Sequence, residues 1–161
     1  MILRSPAVIA LLAALAAFLC IPHKGGDALD AVVSAAKPEW GVSLRIKDGK
    51  VPIGSTGFTL EVATARAGFL TVLQRGTDGA LDVVFPNNVD QQNRMEAGVL
   101  QLPRPGWQLR AKGPVGTGRL VAVVTPNQVS PDELRHRLSA NQAPDFGADY
   151  GAASANYNEI P

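Results

Sequence analysis

The sequence predicts an all-β fold, an immunoglobulin-like antiparallel β-sandwich, on three observations. Roughly seven short runs of β-branched, aliphatic and aromatic residues alternate with polar positions. Turn residues, including 16 Gly and 12 Pro among 161 residues, separate these runs. With 46% hydrophobic residues, the chain can bury one core of its own. A small, partly open barrel is the alternative architecture.

The first part of the chain is an uncharged apolar run. It extends from Ala7 to Ile21, follows Arg4 and ends before Pro22. A run of about 15 residues has the length of the apolar region of a secretory signal and is short for a membrane span. We therefore predict an N-terminal apolar signal or anchor helix within residues 1–28, and export to the periplasm.

Three outcomes for this segment stay open. Gly26 and Ala28 are small, as a signal peptidase requires, which favours cleavage after Ala28. An uncleaved anchor, lengthened by snorkelling of its basic flanks, is the second outcome. Lipidation of Cys20 is the third, and the bulky Phe18 and Leu19 disfavour it. Any contact with the membrane is expected only through this segment.

Residues 29–39 are interpreted as a tether, and residues 40–161 as the β-sandwich domain. The tether is rich in alanine and follows Gly25 and Gly26, so it forms either a short helix or a plain spacer. Cys20 is the only cysteine in the chain. The domain must therefore be stabilised by packing and not by disulfide bonds.

The first two strands are predicted from alternation. Val42 to Ile46 and Phe58 to Val62 place apolar residues at every second position, as a strand with one solvated face does. Asp48 and Gly49 turn the chain after the first of these strands.

A hairpin follows. Gly68–Leu73 and Val83–Phe85 are rich in strand-forming residues and flank Asp78–Gly79, a typical tight-turn pair. Pro86 ends the second strand because proline cannot donate to the ladder.

Three further runs are predicted strands: Val99–Leu102, Leu109–Ala111 and Leu120–Thr125. The last of these is unbroken in its apolar character, which indicates a central strand buried on both faces. Gly113–Arg119 is rich in glycine. It lacks the lysine-serine pair and the helix of a phosphate-binding loop, so we interpret it as a flexible loop.

One short helix is predicted near the C-terminus. Ser130 is a good N-cap, Pro131 suits the first helical position, and Glu133 stands where a capping box needs it. Leu134 and Leu138 then share one face of the helix.

Several spaced motifs resemble those of one bacterial family. They lie between about Trp40 and Thr125 and comprise Gly68–Val72, Asp78–Gly79, Val84–Asn87, Asn93–Met95 and Ala97–Gly98. In this order they resemble domain-of-unknown-function family 4384. The resemblance implies an envelope-associated or kinase-associated accessory domain, because members occur as free-standing envelope proteins or attached to serine/threonine kinases or caspase-like peptidases. It implies no catalytic residue.

The chain departs from this pattern at two places. Phe69 replaces the usual tyrosine, and the tail Asn156–Pro161 lacks the clear alternation of a last strand. The pairing of that last strand is therefore left open.

Charge and motif content argue against several function classes. A net charge of +1 with 18% charged residues does not suggest a nucleic-acid partner. His136 has no second histidine or cysteine at a metal-ligand spacing, and Ser55 lacks a nucleophile elbow. We therefore predict no cofactor, no metal site and no enzymatic activity.

Candidate partner-binding residues come from two segments. The loop between Pro86 and Met95 is long and polar, and Arg104 to Arg119 carries basic residues without an acidic one. The alternatives are Asx turns that only shape the loop and solvated strand faces. The candidates are Asn87, Asp90, Asn93, Arg94, Arg104, Trp107, Arg110 and Lys112.

These residues support three hypotheses. The first is a non-enzymatic envelope domain that binds another protein and serves a secretion or signalling assembly. The second, motivated by the basic and amide-rich segments, is a module that senses a small anionic ligand or glycan. The third is a hydrolase with an unrecognised site. The sequence does not indicate an oligomeric state.

Overall fold

A computed structural model describes residues 27–161. Its elements in chain order are helix α1 (Ala28–Ala35), strands β1 (Ser43–Lys47), β2 (Lys50–Pro52), β3 (Thr59–Thr64), β4 (Gly68–Arg75), β5 (Leu81–Phe85), β6 (Arg94–Met95), β7 (Gly98–Leu102) and β8 (Gly116–Thr125), helix α2 (Pro131–Ser139) and strand β9 (Gly151–Ile160). The predicted mostly β fold with a short helix near its C-terminus is confirmed. The predicted signal or anchor run and Cys20 lie outside the described residues.

The strands form two sheets. The smaller sheet has the order β1-β3-β7, and the larger has the order β2-β9-β8-β4-β5, with β6 added beside β4. The two sheets enclose the main core, to which Leu60 and Val62 of β3 and Leu70 and Val72 of β4 contribute. All four side chains are fully buried, and in β3 the predicted alternation correctly gives the inward face of the strand.

Strand β8 lies between β9 and β4 and is buried on both faces, as predicted. Leu120 and Ala122 point into the core between the sheets. Val121 and Val123 belong to a second core on the opposite face. A strand covered on both sides has no solvated face, which explains its continuous apolar sequence.

Two helices cover that second face. Leu134 and Leu138 of α2 pack there, and Ser130 caps α2 by accepting a hydrogen bond from the Glu133 N–H, as predicted. Leu29 and Val32 of α1 are buried in the same core. The interpretation of residues 29–39 as a tether is therefore corrected for residues 29–35, because a helix with a fully buried leucine belongs to the folded domain.

Asp27 fixes the start of α1. Its carboxylate accepts a hydrogen bond from the Leu29 N–H at 3.1 Å, contacts Arg75 of β4 and lies 3.4 Å from Arg119 of β8. Arg119 also contacts Asp30. Asp27 and Ala28, which the prediction placed in the signal or anchor segment, thus belong to the folded domain. No helix within residues 27–161 is long and apolar enough to cross a bilayer.

Three local predictions differ from the structure. The connection between β4 and β5 was predicted as a tight turn at Asp78–Gly79, but it is a longer loop over residues 76–80. Only Gly79 has a positive φ in this loop, and the Asp78 side chain accepts a hydrogen bond from the Ala80 N–H. Leu109–Ala111 is not a strand, since Arg110 makes only an isolated bridge with Thr56. The predicted flexible loop is shorter than expected, because β8 already begins at Gly116.

Strand β9 accounts for the tail that lacked alternation. It spans ten residues and pairs antiparallel with β8 and parallel with β2. The parallel pair corrects the prediction of a purely antiparallel sheet. Tyr157 of β9 is fully buried against Phe58.

Candidate functional site

The family motif residues build the polar loop between β5 and β6. The Asn87 side chain donates to the Val84 carbonyl at 3.1 Å and accepts from the N–H groups of Val89 and Asp90 at 3.0 and 2.9 Å. This is an asparagine that closes a turn. The predicted alternative, in which the side chain shapes its own loop, describes Asn87.

Asn93 has a similar role on the other side of the loop. Its side chain is 2% exposed and donates to the Leu70 carbonyl at 3.0 Å, while the Leu70 N–H donates to the Asn93 carbonyl at 2.7 Å. A buried amide that already satisfies a buried carbonyl is not accessible to a partner. The prediction of Asn93 as a partner contact is corrected on this ground.

Asp90 and Arg104 form a clamp across this loop. Arg104 donates through Nε to Asp90 at 2.8 Å and through a second nitrogen to the other carboxylate oxygen. The hydrogen bond from Arg104 lowers the pKa of the Asp90 carboxyl below its ordinary value of 3.8, against the effect of burial, and the hydrogen bond from Trp107 adds to the lowering. The same contact raises the pKa of the Arg104 guanidinium. The Asp90 carboxylate and the Arg104 guanidinium are thus paired with each other.

The clamp holds Trp107 in one orientation. The Trp107 Nε1–H donates to Asp90 at 3.1 Å, and its indole stacks on Phe85 with centroids 6.0 Å apart and planes 8° apart. The Arg104 guanidinium lies 5.5 Å from the same Phe85 ring. Because one face and the N–H of Trp107 are occupied, the side chain is a fixed wall with its other face turned outward.

That outward face borders a groove of about 450 Å³ beside β5. Val84, Val89 and Leu109 contribute apolar surface, and the Val89 side chain is 67% exposed. Arg110 and Lys112 stand on one rim. The groove therefore combines a rigid apolar wall with positive charge.

Arg135 of α2 is a groove residue that sequence reasoning missed. Its guanidinium donates to the Val83 carbonyl at 3.2 Å and lies 3.5 Å from Asp82 and 3.3 Å from Asp132. No local signal could have placed it here, since the contact joins residues distant in the chain. Arg135 ties the helix to the outer edge of β5.

A smaller pocket of about 230 Å³ continues the groove past Arg135. Three exposed amide side chains line it: Asn88, Gln91 and Gln128. Among residues 27–161 none of these amides has a hydrogen-bond partner. They are free to bind a hydrogen-bonding ligand.

The structure thus divides the predicted residues. Trp107, Arg110 and Lys112 line the groove, whereas Arg104 and Asp90 support its wall from behind. Arg94 lies elsewhere, 3.6 Å from Glu96 and 5.8 Å from the Phe69 ring centroid. Within the described part of the chain, no three His, Cys, Asp or Glu side chains gather as metal ligands would.

Replacing Asp90 by asparagine is expected to lower the free energy of unfolding by about 2 kcal/mol at neutral pH, because Arg104 loses its charged acceptor. A carboxyl with a lowered folded pKa stabilises the fold above its ordinary value of 3.8 and loses this contribution as the pH falls through the folded value. Urea unfolding at pH 7 and at about pH 3 measures both effects.

The matched control for this variant is Asp132→Asn, which removes a carboxylate that is 95% exposed. We expect it to change stability by less than about 0.5 kcal/mol. A difference between wild type and Asp90→Asn that stays constant down to low pH would contradict the assignment.

Fold and groove together define a small, mostly β domain with a groove at one sheet edge. Residues 51–128 match the model of a family described as a domain of unknown function, DUF4384, the same family that the sequence motifs resemble. No curated protein matches the chain. The matched segment contains the hairpin, the clamp and Trp107, whereas Arg135 lies beyond it.

Proposed function

We propose that this protein is a non-enzymatic accessory domain of the cell envelope that binds another protein through the groove, in the service of a secretion or signalling assembly. The two sheets serve as an immunoglobulin-like scaffold for the groove. Residues before Asp27 act as an export signal or anchor that brings the domain to the periplasm. The proposal extends the accessory role that the family resemblance implies.

The observation that carries this proposal is the unpaired positive rim of the groove. Arg110 and Lys112 are exposed, and neither forms an ion pair with any acidic side chain of residues 27–161. Arg104 and Arg135, by contrast, are already paired. An extended segment of a partner with acidic residues beside an apolar one matches this surface in both charge and hydrophobicity.

The test removes the rim charges. The full chain and its Arg110→Ala/Lys112→Ala variant are cross-linked in intact cells, purified through a C-terminal tag and compared by mass spectrometry. Lys47→Ala/Lys50→Ala is the matched control, since it removes two exposed positive charges from residues that do not line the groove. We expect a partner that the first variant loses at least about tenfold and the control retains.

Two outcomes would overturn the proposal. One is a wild-type protein that repeatedly captures no envelope protein. The other is a partner that both double variants retain or lose equally, since the groove would then not be its binding site.

A second candidate function is sensing of an acidic glycan. The pocket with its three free amides adjoins the fixed face of Trp107, and planar amides with an aromatic surface suit saccharide hydroxyls and ring C–H groups. Trp40 is 3% exposed, so a fluorescence change on titration with acidic cell-wall saccharides would report Trp107. An unchanged emission at millimolar saccharide would eliminate this candidate.

A further inference from the structure

Another cavity lies beside the groove, between the loop that joins β4 to β5 and the end of strand β9. Its volume is about 150 Å³, below the roughly 300–1,000 Å³ of pockets that hold drug-sized ligands. Arg110 and Lys112 line both this cavity and the groove, whereas Thr77 and Glu159 line only this one. We call it the Glu159 pocket.

Glu159 is a buried carboxylate without a cationic partner. The residue is 3% exposed, and it forms no ion pair with any basic side chain of residues 27–161. In that part of the chain only the Gly113 N–H donates to it, although a carboxylate can accept about four hydrogen bonds. A buried charge is costly unless an opposite charge or several donors compensate it. The Glu159 carboxylate can therefore accept a cationic group of a ligand.

Two neutral oxygen atoms of the same pocket also lack a donor. The Thr77 hydroxyl oxygen is buried and has no hydrogen-bond partner among residues 27–161. Gln74 donates through Nε2 to the Tyr157 hydroxyl at 2.7 Å, and no described residue donates to its amide oxygen. A primary ammonium group presents three donors and no acceptor. Carboxylate, hydroxyl and amide oxygens in one small pocket therefore suit an ammonium group.

The environment of Tyr157 indicates negative potential at this place. Burial raises the pKa of the Tyr157 hydroxyl above its ordinary value of 10.0, against the effect of the hydrogen bond from Gln74. The negative charges of Glu159 and Asp78 raise this pKa further. Both carboxylates thus act on the hydroxyl that Gln74 contacts, and a cation bound beside it would be attracted by them.

The exposed residues of the pocket add positive charge. Arg110 and Lys112 form no ion pair within residues 27–161. Two exposed acids also line the pocket, but Asp82 lies 3.5 Å from Arg135 and Asp78 accepts from the Ala80 N–H. Unpaired basic side chains repel a bare cation and attract a ligand that carries its own carboxylate.

We propose that the Glu159 pocket binds a small zwitterion of amino-acid size, with its ammonium group beside Glu159 and its carboxylate beside Arg110 and Lys112. Each charged group of such a ligand meets a protein charge that is unpaired in the described part of the chain. This site goes beyond the proposed function, since it requires no protein partner.

A ligand series tests whether both charges are needed. The full chain, labelled with nitrogen-15, is titrated with L-alanine, β-alanine and γ-aminobutyrate, and separately with ethylamine and propionate, which carry only one charged group each. The Gly113 amide is the reporter in two-dimensional NMR spectra, because its N–H donates to Glu159. We expect at least one amino acid to bind with a dissociation constant of about 1 mM or below, and both single-charge molecules at least about tenfold more weakly.

Two variants test the ammonium end of the pocket. Glu159→Gln keeps an acceptor for the Gly113 N–H but removes the charge, and Thr77→Val removes the buried hydroxyl with little change in size. We expect the affinity for the amino acid to fall at least about tenfold and about threefold, respectively. Glu96→Gln is the matched control, since Glu96 is exposed and does not line the pocket, and it should bind as the wild type does.

Three results would overturn the proposal. They are an unchanged Gly113 signal with every amino acid at about tenfold the expected dissociation constant, equally tight binding of ethylamine, and wild-type affinity in Glu159→Gln. Because Glu159 does not line the groove, Glu159→Gln should still capture the protein partner of the wild type in the cross-linking experiment. Failure of this site and failure of the proposed function are thus distinguishable.

Discussion

Replacing Gly151 by alanine is expected to destabilise the fold by about 3 kcal/mol, the upper range for an overpacked core. An added Cβ would lie 2.2 Å from the Trp40 Cβ and 2.6 Å from a Val42 methyl group. Trp40 cannot rotate away, because the clash is with its first side-chain carbon and its Nε1–H donates to Asp149 at 2.8 Å. Urea unfolding followed by far-ultraviolet circular dichroism measures the change.

Gly49→Ala is the matched control. No atom lies within 4 Å of a Cβ added there. We therefore expect a change of less than about 0.5 kcal/mol. If both variants unfold at the same urea concentration, then the close approach of Gly151 to Trp40 does not limit stability.

Removing the Asp27 carboxylate is expected to have a comparable effect. Asp27→Ala leaves Arg75 and Arg119 without their shared anion and removes the cap of α1, which should cost about 3 kcal/mol in total. Asp27→Asn should cost about 1 kcal/mol less, because asparagine caps a helix as well as aspartate does. Thermal and urea unfolding of both variants separate the ion pairs from the cap.

The control for Asp27 is its neighbour Asp30, which also contacts Arg119 but has a side chain that is 54% exposed. Asp30→Asn should change stability by less than about 1 kcal/mol, as exposed ion pairs do. A loss as large as that of Asp27→Ala would show that burial at Asp27, at 11% exposure, is not what makes its contacts strong.

Local signals predicted the parts of the fold that local chemistry determines. The alternation of Phe58 to Val62 gave the inward face of β3, and Ser130 marked the start of α2, because each signal acts over a few residues. Strand β9 was missed for the opposite reason. Its parallel pairing with β2 depends on a contact between distant parts of the chain, and its burial does not alternate.

The groove residues likewise divide into those that local sequence signals predict and those that depend on contacts between distant parts of the chain. Trp107, Arg110 and Lys112 are close in sequence and were recognised together. Arg135 reaches the groove from α2 through tertiary contacts, so no spacing could reveal it. The Asn93 residue of the family motif has a structural role and not a groove role, since its buried side chain links the loop to β4.

The capping and ion pairing of Asp27 also constrain how the chain can mature. A cut after Ala28 would delete Asp27 and place a charged amino group on Leu29, whose side chain is fully buried. A peptidase needs an extended substrate, and residues 27 and 28 are already committed to the cap and first turn of α1. Proteolysis at this point and folding therefore compete for the same residues. If the proposed export signal is removed, we therefore expect the cut to lie on the N-terminal side of Asp27, and the N-terminal sequence of the mature protein measures this.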